Sequence, residues 1–428
     1  MINCYSIKGN IYDTPVVFDN FDEIYKSVEK SRRSLESMPE NVILDMLDEY
    51  SRRLSKNRKL LAIEGAAYLS FYFRKSNMEK LVEMSVGDKR YMDGFVECGA
   101  GKFKRARNRG VCCHFIAGNV VTLAFYSIFQ SLVAKNSNIA RIPESIMPVV
   151  IKFLTLLEDI EVSFEGRSYS SRILLENIVL VYFKSSDRIL SESMSRLADA
   201  RVIWGGEKAV DSIGVLEKKT TCHDIVFGPK YSFAVFDSMA VESRHANVYF
   251  EKLALDISLF NKKACSSPQV IFVEKSSISF KHIGAMLKAA FEKSKRPMDF
   301  ISEAECAQVI NMRGLYLLDE KKCICSSRGL EYTILMDKVE RLEEPMPGRC
   351  IFLKEIESIL ELDRLITPRI QTIGCAVRDR KKLFEFAERV TSRGVDRIVD
   401  VGSMNIYDSP WDGYFLIGQL VRWCSLNF

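Results

Sequence analysis

The sequence lacks the clustered cysteines and histidines that a metal site needs. Its 12 cysteines include no CxxC pair, and the chain has only four histidines. The adjacent Cys112 and Cys113 and the pair Cys323 and Cys325 have no partner ligands at zinc spacing, so no metal is expected. Scattered free thiols and the absence of a basic segment followed by an apolar one at the start predict a cytoplasmic protein.

Familiar signatures of phosphate binding, nucleic acid binding and membrane insertion are also missing. No GxGxxG follows an expected strand, and "GAGKF" has Phe103 where a P-loop needs a hydroxyl. A net charge of +5 on 428 residues is too slight to indicate a nucleic acid partner. The stretch from Val111 to Ala134 has no formal charge, but Gly118 and Asn119 interrupt it. It therefore predicts a buried strand, a turn and a buried helix rather than a membrane span.

What the chain does have is the pattern of a large globular α/β protein. It is 47% hydrophobic and 27% charged, which suits two sizeable cores. Amphipathic helices dominate the first hundred residues, and short apolar runs alternate with helical stretches from Gly110 onward. This alternation predicts two tandem, doubly wound parallel sheets. We expect a helical region at 1–100, α/β domains at 101–237 and 238–400, and a C-terminal segment at 401–428. The basic run "GKFKRARNRG", residues 101–110, predicts a solvated loop, with contact to an acidic carrier or to phosphate groups as the alternative.

Cys265 is the strongest single candidate for chemistry. It lies in "LFNKKACSSPQVIFVE", Leu259–Glu274, where the pattern changes from helix to strand. The preceding Lys262 and Lys263 would favour a thiolate, the reactive form of cysteine. A buried structural thiol is the alternative, and residue chemistry alone leaves both open.

Asn119, a glycine pair and two histidines are further candidates. Asn119 follows a buried strand, where its amide could donate to an oxyanion or simply form a Gly-Asn turn. "WGGEKAV", beginning at Trp204, puts Gly205 and Gly206 between a strand and a helix, which permits close approach of a ligand but also suits a plain turn. His223 and His245 are conceivable acids or bases, although satisfied or surface histidines are the more common case.

Taken together, several stretches resemble the LuxC-like fatty acyl reductase (acyl-CoA reductase) family, a branch of the aldehyde dehydrogenase superfamily. The resemblance covers Gly110 to near the C-terminus, and its carriers are "HFIAGNVVTLAFYSIFQSLVAKNSNIARIP", "ADARVIWGGEKAV", "FGPKYSFAVFD", "ALDISLFNKKACSSPQ", "GRCIFL", "IQTIG" and "GVDRIVDVGSMNIYDSPWDG". It implies an aldehyde dehydrogenase-like fold with the active site at the domain junction. It also implies that Cys265 is the acyl-accepting nucleophile and that Asn119, with the Cys265 backbone N–H, cradles the oxyanion.

The resemblance assigns the nicotinamide cofactor to the first α/β domain, and two departures from the superfamily pattern bear on the reaction. Val226 occupies the approximate place of the glutamate that activates water in oxidising members, so reduction is expected in place of hydrolysis. "ARIPES" has Ser145 where a ribose-binding glutamate is common and keeps Arg141 nearby, which favours NADPH. Trp204, Gly205 and Gly206 match a cofactor loop, and Lys230 of "VFGPKY" completes the expected cofactor-binding residues. Leu255 stands where some members carry histidine, so no histidine base is transferred.

The implied activity is NADPH-dependent reduction of a fatty acyl thioester to the aldehyde through an acyl-cysteine. The acyl donor would be CoA or an acyl-carrying partner protein related to acyl-protein synthetases, and a homo-oligomer is expected from the superfamily. No nucleic acid partner and no membrane span are expected. Two alternatives remain at this point: a cofactor-free cysteine acyltransferase, and a non-catalytic scaffold subunit of a fatty acid reductase-like complex.

Overall fold

Two α/β units make up the residues that the structure, a computed structural model, describes, namely 1–298 and 301–428. Unit 1 comprises Met1–Gly228 with Tyr407–Phe428, and unit 2 comprises Pro229–Ile406. Each unit is built on its own mainly parallel sheet, so the fold class expected from the sequence is confirmed.

The first segment of unit 1 contains strands β1–β11 and helices α1–α10. In chain order these are β1 (Ile2–Ile7), β2 (Asn10–Phe18), α1 (Asp22–Ser37), α2 (Glu40–Lys56), α3 (Arg58–Leu61), α4 (Ala66–Tyr72), α5 (Lys75–Val86), β3 (Val96–Gly99), β4 (Lys102–Asn108), β5 (Val111–Phe115), α6 (Leu123–Val133), β6 (Ser137–Arg141), α7 (Met147–Leu154), β7 (Glu161–Phe164), β8 (Arg167–Ser170), α8 (Arg172–Glu176), β9 (Ile178–Tyr182), α9 (Arg188–Leu197), β10 (Ala200–Trp204), α10 (Glu207–Gly214) and β11 (His223–Phe227). Short 3₁₀ helices lie at Lys89–Met92 and Thr155–Leu157.

The main sheet of unit 1 has the strand order β11-β10-β5-β6-β9-β1-β2. Strands β11, β10, β5, β6 and β9 are parallel to one another. Every residue of β5 and β10 is buried, because helices cover both faces of a doubly wound sheet and its strands are apolar on both sides. The segment from Val111 to Ala134 accordingly forms β5, a turn and the buried helix α6, as the sequence predicts. Within the described residues, no helix is long and apolar enough to cross a membrane.

The first 18 residues form a hairpin that the sequence did not predict. Lys8 and Gly9 link β1 to β2 with φ angles of 54° and 75°, the left-handed pair of a type I′ turn, which matches strand twist. The hairpin extends the sheet antiparallel to β9. Pro15 lies within β2, which is the edge strand, the position where a strand tolerates a missing N–H.

Unit 2 contains strands β12–β18 and helices α11–α15. In chain order these are β12 (Tyr231–Phe236), α11 (Ser238–Val241), α12 (Ala246–Ser258), β13 (Pro268–Glu274), α13 (Phe280–Ser294), α14 (Glu303–Leu317), β14 (Cys323–Ser326), β15 (Thr333–Asp337), β16 (Cys350–Ile356), β17 (Ile370–Ala376), α15 (Arg380–Thr391) and β18 (Arg397–Asp400). Segments Leu259–Lys262 and Ile359–Leu365 are 3₁₀ in character.

The sheet of unit 2 has the strand order β14-β15-β16-β13-β12-β17-β18. All its pairings are parallel except that of β14 with β15. Apolar clusters cover both faces, one against α12 and α13 and the other around Phe272, Phe352 and Phe386. Because β13, β15 and β16 are parallel, their amino ends meet at one edge of the sheet. Cys265 lies at that edge, just before β13.

The last residues of the chain return to unit 1 as α16 (Leu416–Gln419) and β19 (Val421–Asn427). Strand β19 pairs antiparallel with β4, and β3 pairs with the other side of β4. The prediction of a loop at residues 101–110 is therefore wrong, because most of this segment forms β4, the central strand of a small sheet. Its partner lies more than 300 residues away, so local sequence gives no sign of the pairing.

Candidate active site

The oxyanion candidate Asn119 and the candidate cofactor residues of unit 1 meet at one edge of its sheet. Asn119 follows β5, Arg141 ends β6, and Trp204 ends β10. These three strands are parallel neighbours, so their carboxyl ends lie side by side, where doubly wound sheets bind ligands. A Cβ placed on Gly118 would lie 3.7 Å from the Ser145 hydroxyl. The turn that carries Asn119 thus packs directly against the loop that carries Ser145.

The Trp204-Gly205-Gly206 segment is held in one position by its neighbours. The Trp204 ring stacks on Phe227 with centroids 3.7 Å apart, and its indole N–H donates to the Ser127 hydroxyl at 3.1 Å. A Cβ on Gly205 would lie 2.9 Å from the Cβ of Ala209, which is too close for any side chain there. Gly206, by contrast, faces open space at the start of α10. The segment leaves backbone accessible to a ligand phosphate, and the residues present fit a nicotinamide dinucleotide.

Behind this segment lies a buried polar chain that centres on His114. Its Nδ1 is 2.8 Å from the Ser127 hydroxyl, and its Nε2 is 2.9 Å from the Asn138 side-chain oxygen. Because the Asn138 amide nitrogen donates elsewhere, that oxygen accepts, and Nε2 carries the proton. Burial lowers the pKa of His114 to about 4, so the ring is neutral. The chain therefore connects β5, α6 and the Trp204 side chain without introducing charge.

Arg141 is the one cation among the cofactor candidates of unit 1. Its Nε donates to the Phe183 carbonyl at 3.2 Å, and the guanidinium lies 5.5 Å from the centre of the Phe183 ring. Burial lowers its pKa. The nearby Glu144 carboxylate hydrogen-bonds the Tyr182 phenol and raises the pKa of that group. The acid beside Ser145 is thus engaged by the Tyr182 phenol.

In unit 2, Cys265 lies on a tightly wound turn between α12 and β13. Phe260, Asn261 and Lys262 all have positive φ angles, of 54°, 46° and 62°, a left-handed conformation that costs about 1–2 kcal/mol per residue. Such a turn persists only where surrounding contacts stabilise it. Cys265 itself is half-buried. The sequence prediction that this thiol stands at a helix-to-strand junction is confirmed.

Two polar side chains hold the backbone around Cys265. The Ser232 hydroxyl of β12 donates to the Cys265 carbonyl at 2.7 Å and accepts from the Thr372 N–H at 3.1 Å. The hydroxyls of Ser266 and Ser267 donate to the Asn405 side-chain oxygen at 2.7 and 3.1 Å. These bonds tie the cysteine turn to β12 and to the loop that follows β18.

Asn405 and Asp256 connect the cysteine turn to the end of α12. The Asn405 amide donates to the Asp256 carbonyl at 2.7 Å. The fully buried Asp256 carboxyl accepts from the backbone N–H groups of Gly402 and Met404. Burial raises the pKa of Asp256 to about 7, against the lowering effect of those two N–H groups. The hydrogen bonds of Asn405 and Asp256 thus form one network that positions the cysteine turn.

The lysines near the active-site candidates are engaged in different ways. The Lys262 ammonium is buried and donates to the Cys350 carbonyl at the start of β16, and burial lowers its pKa to about 8. Lys263 is exposed. Lys230 at the start of β12 binds the Asp396 carboxylate and belongs to unit 2, whereas the other cofactor candidates lie in unit 1.

The remaining sequence candidates lie apart from these clusters or carry no chemistry. His223 lies 3.0 Å from the Gln419 amide oxygen, and His245 is exposed at the start of α12 beside Arg244. Val226 is half-buried in β11, and Leu255 is half-buried in α12. Three polar residues of these clusters could not be singled out from the sequence: His114, Ser232 and Asn405. Isolated polar residues in or after apolar strands give no local signal.

A family model described as acyl-CoA reductase (LuxC) matches residues 24–423 of the chain. The long-chain acyl-protein thioester reductase of Vibrio harveyi is 25% identical, over 96% of this chain and 87% of that protein. The enzyme of the same name from Photobacterium phosphoreum is 24% identical, over 88% of this chain and 77% of that protein.

Solved structures similar to this one are aldehyde dehydrogenases. Aldehyde dehydrogenase 21 of Physcomitrella patens, in complex with its product succinate, has a TM-score of 0.75 at 12% identity and covers 100% of this chain and 98% of its own. NADP-dependent glyceraldehyde-3-phosphate dehydrogenase from Bacillus halodurans, complexed with NADP, has a TM-score of 0.69 at 12% identity, with 100% and 96% covered. At these identities the likeness shows the aldehyde dehydrogenase fold.

Proposed function

Because the chain belongs to the LuxC family of acyl-CoA reductases, we propose that it reduces a fatty acyl thioester to the aldehyde through an acyl group carried on Cys265, with NADPH as the reductant. Relatives along most of the chain are named long-chain acyl-protein thioester reductases, which supports acyl reduction. The observation that carries the proposal is the cysteine turn, in which the backbone is held by Ser232 and Asn405 while the thiol stays half-exposed.

In the first half-reaction the Cys265 thiolate attacks the thioester carbonyl carbon. A new C–S bond forms, the carbonyl oxygen takes up the electron pair, and its collapse expels the donor thiolate, which is then protonated. The Asn119 amide and the backbone N–H of Cys265 donate to the oxyanion. Each donor of this kind is worth about 2.7–4 kcal/mol of transition-state stabilisation. The rigid turn keeps the Cys265 N–H in place without reorganisation during the reaction.

NADPH supplies the hydride that reduces the acyl-enzyme. The residues that would hold it are Trp204, Gly205 and Gly206 at the start of α10, with Arg141 and Ser145 on the neighbouring loop and Lys230 as a further contact. A guanidinium at Arg141 and a hydroxyl at Ser145 favour a 2′-phosphate, since an acid in that place would repel it. After reduction the Cys265 sulfur leaves as thiolate and the aldehyde is released.

Val226 favours reduction over hydrolysis. A valine has no group that takes a proton from water, so the acyl-cysteine would persist until it is reduced. A carboxylate at this position would instead let water cleave the thioester to the acid. We therefore propose the aldehyde as the product.

The biological setting follows from the same residues. All 12 cysteines are free thiols, which suits a cytoplasmic enzyme. The acyl donor is a CoA thioester or an acyl-carrying partner protein, and a homo-oligomer is expected from the superfamily. A cofactor-free acyltransferase would acylate Cys265 but bind no nicotinamide, and a scaffold subunit would do neither. The open glycine segment beside Trp204 favours the reductase.

The test is steady-state reduction of palmitoyl-CoA, followed as NADPH oxidation and as aldehyde formed. Cys265→Ser is expected to lower kcat by about 10³-fold or more while the melting temperature stays unchanged, because the nucleophile is lost and the fold is not. Cys306→Ser, a half-buried thiol on α14 in the same unit, is the matched control and should retain activity. A Cys265→Ser enzyme that keeps normal turnover would contradict the proposal.

A further inference from the structure

Unit 2 has a basic pocket beside the cysteine turn that the proposed reaction does not use. It is a surface cavity of about 600 Å³. We define the basic pocket by the five cations among its lining residues: Lys288, Lys295, Arg296, Arg328 and Arg349. The stacked rings of Phe291 and Tyr332, with centroids 5.2 Å apart, also line it.

Among the described lining residues of the basic pocket, cations outnumber carboxylates. Its described lining residues include two carboxylates, Glu292 and Glu331. Glu292 accepts from the Tyr332 phenol at 3.0 Å and lies 3.8 Å from Lys288. The Glu331 carboxylate accepts a hydrogen bond from the Ser327 side chain. In the part of the chain that the structure describes, Lys295 and Arg328 are exposed and make no ion pair, so their charges point to an anion from outside the chain.

The basic pocket shares an edge of the sheet with Cys265. Arg349 directly precedes β16, and Arg328 precedes β15 in the turn after β14. Strand β13, which follows Cys265, is the neighbour of β16, so two strand spacings, roughly 10 Å, separate β13 from β15.

Hydrogen bonds of Arg349 link the pocket wall to the cysteine turn. The Arg349 guanidinium donates to the Asn261 side-chain oxygen at 3.0 Å and to the Arg296 carbonyl at 2.9 Å. Asn261 is part of the left-handed turn that leads to Cys265. The basic pocket therefore adjoins the turn on the same unit.

We propose that the basic pocket binds the phosphate groups of a CoA thioester while its acyl carbon lies at Cys265. This deepens the proposed function and rests on it, since it names the donor that the same site receives. The pantetheine arm between the phosphates and the sulfur is about as long as four extended residues, ~14 Å, which spans the separation along the sheet edge. Convergent cations in a concave site suit a compact polyanion better than the broad face of a carrier protein.

The test uses the full-length protein saturated with NADP⁺. This protein is titrated in separate experiments with CoA and with pantetheine, which has the arm but no phosphate. The variant Lys295→Gln with Arg328→Gln removes two exposed charges. It is expected to weaken CoA binding about tenfold, the scale of two screened ion pairs, and to leave pantetheine binding unchanged. The matched control, Lys281→Gln with Lys321→Gln, removes two exposed charges at the opposite edge of the same sheet and should stay within about twofold.

Kinetics add a second readout and separate this inference from the proposed function. The KM for palmitoyl-CoA should rise about tenfold in the pocket variant with kcat unchanged, while palmitoyl-pantetheine is unaffected. Equal CoA affinity in the pocket variant and the control would overturn the inference. So would a rise in KM confined to an acyl-carrying protein donor, which would make the pocket a protein-docking site. If the wild type reduces neither donor, the proposed function fails, and the CoA titration still decides the pocket.

Discussion

At the scale of single residues, Asn405 is the side chain that most directly positions the cysteine turn. Its oxygen accepts from both Ser266 and Ser267, and its nitrogen donates to the Asp256 carbonyl. It is 7% exposed, so these bonds are shielded from bulk water. Its expected effect on the reaction therefore passes through the backbone of the turn.

Asn405→Ala is expected to slow acylation of Cys265 about tenfold or more, because two buried hydroxyls lose their acceptor and the turn shifts. Asn405→Asp keeps the acceptor at the same place but adds a buried charge. It should therefore be the less stable variant and yet acylate faster than Asn405→Ala. Rapid-quench measurement of the acylation rate, set beside thermal melting, checks this order. Rates that simply follow stability would mean that Asn405 has only a structural role.

Asp256 is expected to make the stability of the protein depend on pH. Burial raises its pKa to about 7 in the folded state, above the value of about 4 for an exposed aspartate. Between these values the folded protein holds a proton that the unfolded chain releases. The free energy of unfolding should therefore fall as pH rises from about 4 to about 7, by up to about 1.4 kcal/mol per pH unit from this group.

Asp256→Asn should flatten that part of the pH profile, because the amide does not titrate. Urea unfolding of the wild type and the variant at several pH values measures the difference. The exposed Asp211→Asn is the matched control and should leave the profile unchanged. A wild-type profile that rises across this window relative to Asp256→Asn would show that the folded carboxyl is ionised.

The residue scale also shows how far the sequence could predict the site. Cys265 and Asn119 could be proposed from the sequence because they lie in recognisable stretches at element boundaries, and their roles stay predictions. Ser232 lies 33 residues before Cys265, and Asn405 lies 139 residues after Ser266. Only the folding of the sheet brings these side chains together, and a lone serine or asparagine in the sequence gives no indication of it.

At the scale of elements, the junction of β10 with α10 is set by the lack of a Cβ at Gly205. An added methyl would lie 2.9 Å from the Cβ of Ala209, so Gly205→Ala must displace the glycine segment or the first turn of α10. We expect NADPH binding to weaken about tenfold, as followed by fluorescence titration. The double variant with Ala209→Gly removes the clash and should restore affinity. A double variant that stays as weak as the single one would show that the clash is not the cause.

Elements with a strong local period were predictable, and those stabilised by remote partners were not. The buried parallel strands β5, β9 and β10 follow from their continuous apolar runs. Strand β4 was mistaken for a loop, since its basic residues suggest solvent and its partner β19 is at the other end of the chain. Hairpin β1–β2 was not predicted from the sequence. Pro15 argues against a strand unless the strand lies at the edge of a sheet.

At the scale of the whole molecule, the sequence pattern was sufficient for the fold class of two mainly parallel α/β units. The further division at residues 100, 237 and 400 stays a prediction. The structure places the oxyanion candidate Asn119 and the cofactor candidates Arg141 and Trp204 on unit 1, and the cysteine turn with the basic pocket on unit 2. The proposed reaction accordingly has two steps that can be measured separately, namely acylation of Cys265 and reduction of the acyl group.

The most direct test of this account is intact-mass spectrometry of the protein after mixing with palmitoyl-CoA, before and after addition of NADPH. The account predicts a gain of one palmitoyl group on Cys265, which disappears when NADPH is added and palmitaldehyde forms. The mass of Cys265→Ser should not change under the same conditions. An adduct on Cys265 that persists in NADPH would instead identify an acyltransferase, and an adduct on another residue would contradict Cys265 as the nucleophile.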